Sequence, residues 1–135
     1  MRLMDLLDQP AEFLTPGHTV EHAARRMLAR EVSLVPICRS DGTLVGVLDE
    51  RDIVVKAVAL SRAPELCALG EIMRKDFPRC AITDDPVDVY ARMLAEGLDR
   101  LMVVDPAGKL IGIAERARLS VAHRRITQRR LRRIA

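Results

Sequence analysis

The chain has 135 residues, enough for one compact domain or for two small halves sharing a core, since a lone unit of roughly 60 to 70 residues buries too little surface to be comfortable by itself. Hydrophobic residues make up 49% of it but aromatics only 2%, so its interior must be built from Val, Leu, Ile, Ala and Met in layered sheets and helices. The net charge of +3 is unevenly placed: eight arginines and no acidic residue follow residue 115, leaving −5 on the first 115 residues.

In chain order, Thr19 is a capping-type residue. Behind it Val20, Ala23, Ala24, Met27 and Leu28 recur at helical spacing, which predicts a helix over 20–30. A short apolar strand is expected over 33–38, a turn at Asp41-Gly42, a second strand over 44–48 and a helix over about 49–60. Pro64 to Gly70 reads as a linker. The order then repeats after Glu71-Ile72-Met73: a helix over 87–96, a strand over 100–104, a turn at Pro106-Ala107-Gly108, a strand over 110–114 and a helix from about 115 onward.

The repetition has a spacing of 66 residues: Leu44-Val45-Gly46-Val47 corresponds to Leu110-Ile111-Gly112-Ile113, and Met27-Leu28-Ala29 to Met93-Leu94-Ala95. Near Val20 and Val87 the match slips by one residue, at a helix start. The expected organisation is two repeats, 1–63 and 64–123, followed by an Arg-rich tail, 124–135.

Several chemistries lack a motif. No stretch reaches the roughly 18 uncharged apolar residues of a membrane span, because Lys56 interrupts the best run, 53–60. Asp5 and Asp8 break the basic-then-apolar order of a signal peptide, so a cytoplasmic protein is expected. Cys38, Cys67 and Cys80 are odd in number and show no CxxC spacing, which suits reduced, buried thiols. His18 and His22 stand four apart without a third ligand, which leaves them as surface histidines rather than a metal site. Asp49, Glu50 and Asp52 cluster where a helix starts; the helix dipole accounts for them better than Mg²⁺ does. No Gly-x-Ser-x-Gly, Walker or Rossmann pattern offers a nucleophile with its base, and a protein that is not an enzyme is expected.

The ordered set resembles the cystathionine-β-synthase (CBS) domain, whose signature is an apolar strand ending near Pro-Val, a turn, and Gly-apolar-apolar-Thr-x-x-Asp leading into a helix. Those positions read Leu34-Val35-Pro36-Ile37 and Gly46-Val47-Leu48-Asp49-Glu50-Arg51-Asp52 in the first copy. In the second they read Leu101-Met102-Val103-Val104 and Gly112-Ile113-Ala114-Glu115-Arg116-Ala117-Arg118. The resemblance covers roughly residues 3–123 and implies an α+β fold: two CBS repeats of β-α-β-β-α type, packed with pseudo-twofold symmetry.

It also implies a regulatory module that needs no cofactor, with clefts that take AMP, ADP, ATP or S-adenosylmethionine as regulatory ligand. Carried over by position, the first cleft has Val35 and Pro36 beside the base, Gly46 and Val47 for close approach, Asp49 at the motif Thr and Asp52 for the ribose hydroxyls. The second has Arg100, Met102, Gly112, Ile113, Glu115 and Arg118. Asp49 and Glu115 replace the motif Thr with acidic charge, which disfavours ATP, and Arg118 replaces the ribose acceptor with a donor-only group.

Three readings follow: a sensor of an adenosine-containing metabolite signalling to a partner, a dimerisation or interaction module without ligand, and a nucleic-acid binder through Arg124, Arg125, Arg129, Arg130, Arg132 and Arg133. For the tail itself a solvated helix end or disordered segment ranks first, nucleic acid second and a membrane surface third. A homodimer is expected from the apolar helix positions Ala23, Met27, Tyr90 and Met93.

Overall fold

The computed structural model describes residues 1–7, 9 and 11–134. Thr19 caps helix α1 (Val20–Arg30) by accepting from the His22 N–H, and Glu31 ends it in the left-handed region at φ 53°. Strands β1 (Leu34–Cys38) and β2 (Leu44–Asp49) form an antiparallel hairpin. Helix α2 (Glu50–Ile53) runs on into a π-helical stretch, Val54–Val58, and helix α3 (Leu69–Ile72) follows. Strand β3 (Arg79–Ala81), helix α4 (Pro86–Glu96), strands β4 (Arg100–Val104) and β5 (Leu110–Glu115) and helix α5 (Arg116–Ile134) complete the chain.

The chain divides into two compact units, Glu12–Phe77 and Met1–Ala11 with Pro78–Ala135. These units cut across the sequence repeats. The opening phrase of the first repeat packs with the second, and Glu71-Ile72-Met73, which opens the second, packs with the first.

In the unit Glu12–Phe77 the β1–β2 hairpin is widened on both sides by single bridges, Leu14 parallel to Ile37 and Val47 antiparallel to Arg74. Val35, Ile37 and Leu48 project to one face and build the core with Leu14, Val20, Ala23, Ala57, Leu69 and Ile72. In the other unit β3 pairs parallel with β4, and β4 antiparallel with β5. Leu101, Val103 and Ala114 pack there with Val89, Met93, Leu119 and Ala122 and with Leu3, Leu6 and Leu7 of the N-terminal segment.

One expectation is corrected here. Ala23 and Met93 are not surface positions awaiting a subunit partner: both are 0% exposed, because the apolar stripes of α1 and α4 are covered by their own sheets. Helix α5 runs from the second repeat into the Arg-rich segment without a break, to Ile134.

Gly46 fixes how closely the Met73-Arg74 segment approaches β2. A Cβ there would lie 2.6 Å from Met73 Sδ and 3.1 Å from the Arg74 carbonyl oxygen. Gly46→Ala is therefore expected to destabilise the fold by about 1–3 kcal/mol through overpacking, read as a lowered urea midpoint at unchanged slope.

Candidate functional site

The end of β2 and the start of α2 bring two carboxylates together. Asp49 caps α2 by accepting from the Asp52 N–H at 2.8 Å, while Asp52 Oδ2 accepts from the Asp49 N–H at 3.0 Å. This reciprocal box satisfies helix-terminal donors and explains the acidic cluster without a metal. Among the described residues no group of three or more His, Cys, Asp or Glu side chains is placed to hold a metal ion. His18 and His22 stack on each other at 4.5 Å between ring centroids, and the His18 Nδ1 accepts from the Thr15 N–H at 2.9 Å.

Two cations that the sequence reading did not single out complete the cluster. Arg74 donates from Nε to Asp52 Oδ2 at 3.1 Å and from Nη2 to Asp49 Oδ2 at 2.8 Å, so one guanidinium spans both carboxylates. Its position is set by its backbone, which exchanges two hydrogen bonds with Val47, at 2.9 and 3.0 Å. Lys56, one turn beyond Asp52 on the same helical stretch, lies 3.5 Å from Asp52 Oδ1 and donates to the Ile72 carbonyl at 3.1 Å. Asp52 itself is only 7% exposed. Burial alone would push its carboxyl up, but the bond from the Asp49 N–H, then the charges of Arg74 and Lys56, outweigh it and hold the group below the ordinary carboxylate range. Asp52 is thus an ionised acceptor at neutral pH.

The remaining expected residues separate by face. Pro36 lies opposite Val47 and Leu34 opposite Asp49, on the strand face away from the core, and Pro36 and Val47 are both buried. The Val35 side chain is in the hydrophobic core and does not share that face. The space that Gly46 leaves is taken by Met73 and Arg74 of the chain itself.

In the other unit the register places Arg100 opposite Glu115 and Met102 opposite Ile113, so these four share one face; Gly112 pairs with Val103 on the core side. Arg100 and Glu115 line a groove of about 420 Å³ together with Tyr90, Leu94, Asp99 and Arg116. Arg116 is ion-paired with Asp99, and Arg118, two residues on, is exposed. The two clefts are therefore chemically unlike. In the sequence Arg118 stands 66 residues after Asp52, and Asp8 stands 66 residues before Arg74. Asp8 lies outside the described residues, but this exchange of sign was readable as a hint that Arg74 and Asp52 belong together.

Two thiols are also placed. Burial, reinforced by nearby Asp41, pushes Cys38 up to about 12. Burial likewise raises Cys80 to about 11, against a smaller opposing effect of Arg92. Both stay protonated, and neither is an activated nucleophile at neutral pH.

Two α/β units, each with two helices on an antiparallel strand pair and each completed by a segment from the other repeat, define a tandem-domain architecture. The chain belongs to the CBS domain family, which it matches over residues 3–58 and 69–125. An uncharacterized protein of Methanopyrus kandleri is 30% identical over 101 residues, 73% of this chain, and the chain spans 50% of that relative's length. Among solved structures, Hypoxic Response Protein I with two coordinated zinc ions has a TM-score of 0.78 at 24% identity, covering 90% of this chain and 98% of that one. CBSX2 in complex with AMP has a TM-score of 0.76 at 24% identity, covering 93% and 98%. No helix among the described residues is long and apolar enough to cross a membrane.

Replacing Arg74 by Met leaves two neighbouring carboxylates without their shared cation and is expected to cost about 1.5–3 kcal/mol at pH 7. Because Asp52 is depressed in the folded state, its stabilisation is present above the ordinary carboxylate pKa and is lost as pH falls through the folded value. The gap between wild type and Arg74→Met should therefore narrow below about pH 4, measured by urea unfolding from pH 7 to pH 3.

Proposed function

We propose that this CBS pair is a non-catalytic regulatory module that takes an AMP-like adenosine ligand in the cleft of its first repeat and passes the change to a partner. The observation that carries this reading is the ionised, nearly buried Asp52 carboxylate at the start of α2, directly after the strand in which Val47 pairs with Pro36. A carboxylate accepts both ribose hydroxyl protons in charge-assisted bonds. Arg74, with 41% of its side chain exposed, is already at the site and supplies the cation that Asp49 would otherwise deny a phosphate. Ligand entry then exchanges partners: the ribose takes Asp52 and the freed guanidinium turns to the phosphate. One phosphate suits one free cation better than three do, so AMP is favoured over ATP. AMP in CBSX2 supports the ligand class by analogy of fold.

The second cleft offers Arg118 where an acceptor is needed, so binding is expected at one site per chain. Titration calorimetry of AMP should show Asp52→Ala losing at least tenfold in affinity, about 1.5 kcal/mol from one charge-assisted bond. Arg118→Asp should raise the stoichiometry or the affinity. If Asp52→Ala binds AMP as wild type does, the site is wrong. If no adenosine ligand raises the thermal midpoint of wild type, the Asp52–Arg74 pair is structural and the chain acts as an interaction module.

We also propose a homodimer. Its contact residues differ from those expected from sequence: Leu28 is 81% exposed and Leu94 53%, and Val55 is 48% and Val121 51%. Each pair is related by the 66-residue spacing, so equivalent helical faces of both repeats carry the apolar surface. Light scattering at tens of micromolar should give twice the chain mass, and Leu28→Glu with Leu94→Glu should halve it. A wild-type monomer under those conditions overturns the proposal.

A further inference from the structure

We infer that the Arg-rich half of α5 is a docking surface for duplex nucleic acid, read through its phosphates and without base specificity. Over the 19 residues of α5 there is no acidic residue. Arg124, Arg125, Arg129, Arg130, Arg132 and Arg133 are all exposed. Arg125, Arg129 and Arg132 follow one another at four and three residues, so they form a single line along the helix. That line spans about 10 Å at 1.5 Å per residue, and Arg124 and Arg133 flank it at either end.

The same helix is held in place by other groups. Leu119 and Ala122 belong to the core of their unit, and Ile126 is half-buried behind them. Arg130 donates from Nη2 to Asp85, the capping residue of α4, at 3.3 Å. The Asp85 carboxyl is held below the ordinary range, first by the Val87 N–H, against a smaller effect of burial, and then by Arg130. Arg130 therefore ties α5 to the cap of α4, while Arg125, Arg129 and Arg132 lie exposed along the flank of the helix beside the covered stripe.

The charge pattern selects the partner. Guanidinium groups bond phosphate oxygens in a bidentate fork. The first 115 residues carry −5, which repels a polyanion from the body and confines contact to this helix. From Arg124 to Ile134 α5 contains no aromatic residue on which unpaired bases could stack, and His123 before it is stacked on Tyr90, which disfavours single strands. A helix lying in a membrane surface needs a continuous apolar face. The exposed apolar residues of the last two turns are only Leu131 and Ile134, and the helix's main apolar stripe is already covered.

The test is fluorescence anisotropy with the full chain and a labelled random-sequence duplex, as DNA and as RNA. Vesicles containing phosphatidylserine and poly-glutamate serve as competing anions. Wild type should bind the duplex with an affinity that falls with salt at a log–log slope of about −3 to −4, near 0.9 per phosphate contacted. Arg125→Gln with Arg129→Gln and Arg132→Gln should lose at least tenfold at an unchanged thermal midpoint, and the corresponding triple Lys variant should stay within about threefold because the charge is kept. A salt slope near zero, a Gln variant that binds as wild type does, or binding to vesicles or poly-glutamate without binding to either duplex each overturns the inference. The salt slope needs no variant, so the test holds even if a substitution disturbs folding.

Discussion

Arg74 makes two attachments at once: its backbone pairs with Val47 on β2, and its guanidinium spans the carboxylates of Asp49 and Asp52. Because Asp49 is also the cap of α2, the end of a strand, the start of a helix and the incoming Met73-Arg74 segment are all fixed by one cation. Two carboxylates this close repel each other. The positive end of α2, Arg74 and Lys56 together offset that repulsion and hold the Asp52 carboxyl below the ordinary range. The arrangement is local to one unit. In the other repeat the sequence puts Arg118 where Asp52 stands, so one cleft keeps an acceptor and its counterpart does not. Any ligand that uses Asp52 must compete with cations already bonded to it, and its affinity is set by that exchange as much as by the new contacts.

The elements that were legible in the sequence are those with a local signal. Thr19 and the apolar spacing behind it place α1 at Val20–Arg30, and the Asp41-Gly42 turn between two apolar runs gives the β1–β2 hairpin. Three-residue β3 and the single bridge at Leu14 carry no alternation long enough to read. The expected helix over 49–60 is there, but apolar spacing does not distinguish an α from a π turn, and Val54–Val58 widens to the latter. Asp52 was identifiable by position in a motif. Arg74 had no motif position and only the exchange of sign between the repeats to hint at it, because its contact with Asp52 crosses 22 residues and depends on which segment pairs beside β2. Val35 illustrates the complementary limit. Strand periodicity says that Val35 and Pro36 face opposite ways, but only the packing of α1 decides that Val35 takes the core side. Likewise an apolar stripe on a helix reports that something covers it. For Ala23 and Met93 that cover is the chain's own sheet.

The helix positions that remain exposed sort into two chemistries. Leu28, Leu94, Val55 and Val121 present apolar surface at equivalent places in the two repeats. The second half of α5 presents guanidinium groups with no counterpart in the first repeat, whose last helix is followed by the turn at Ser61. Duplication accounts for what is shared, and the extension of α5 accounts for the chain's departure from symmetry in charge.

The crossing of segments between the units also sets an order of events during synthesis. The unit Glu12–Phe77 is contiguous, so it can close as soon as Phe77 has emerged from the ribosome, with domains generally folding as they appear. The segment Met1–Ala11 emerges earlier but has its partners in Val89, Met93, Leu101 and Leu119. Leu3, Leu6 and Leu7 must therefore wait, unburied, while more than a hundred further residues are made. A nascent chain stalled anywhere between these points carries one finished unit and an apolar leader with nothing to pack on. The joining of this segment to α4, β4 and α5 is the step that ends its exposure.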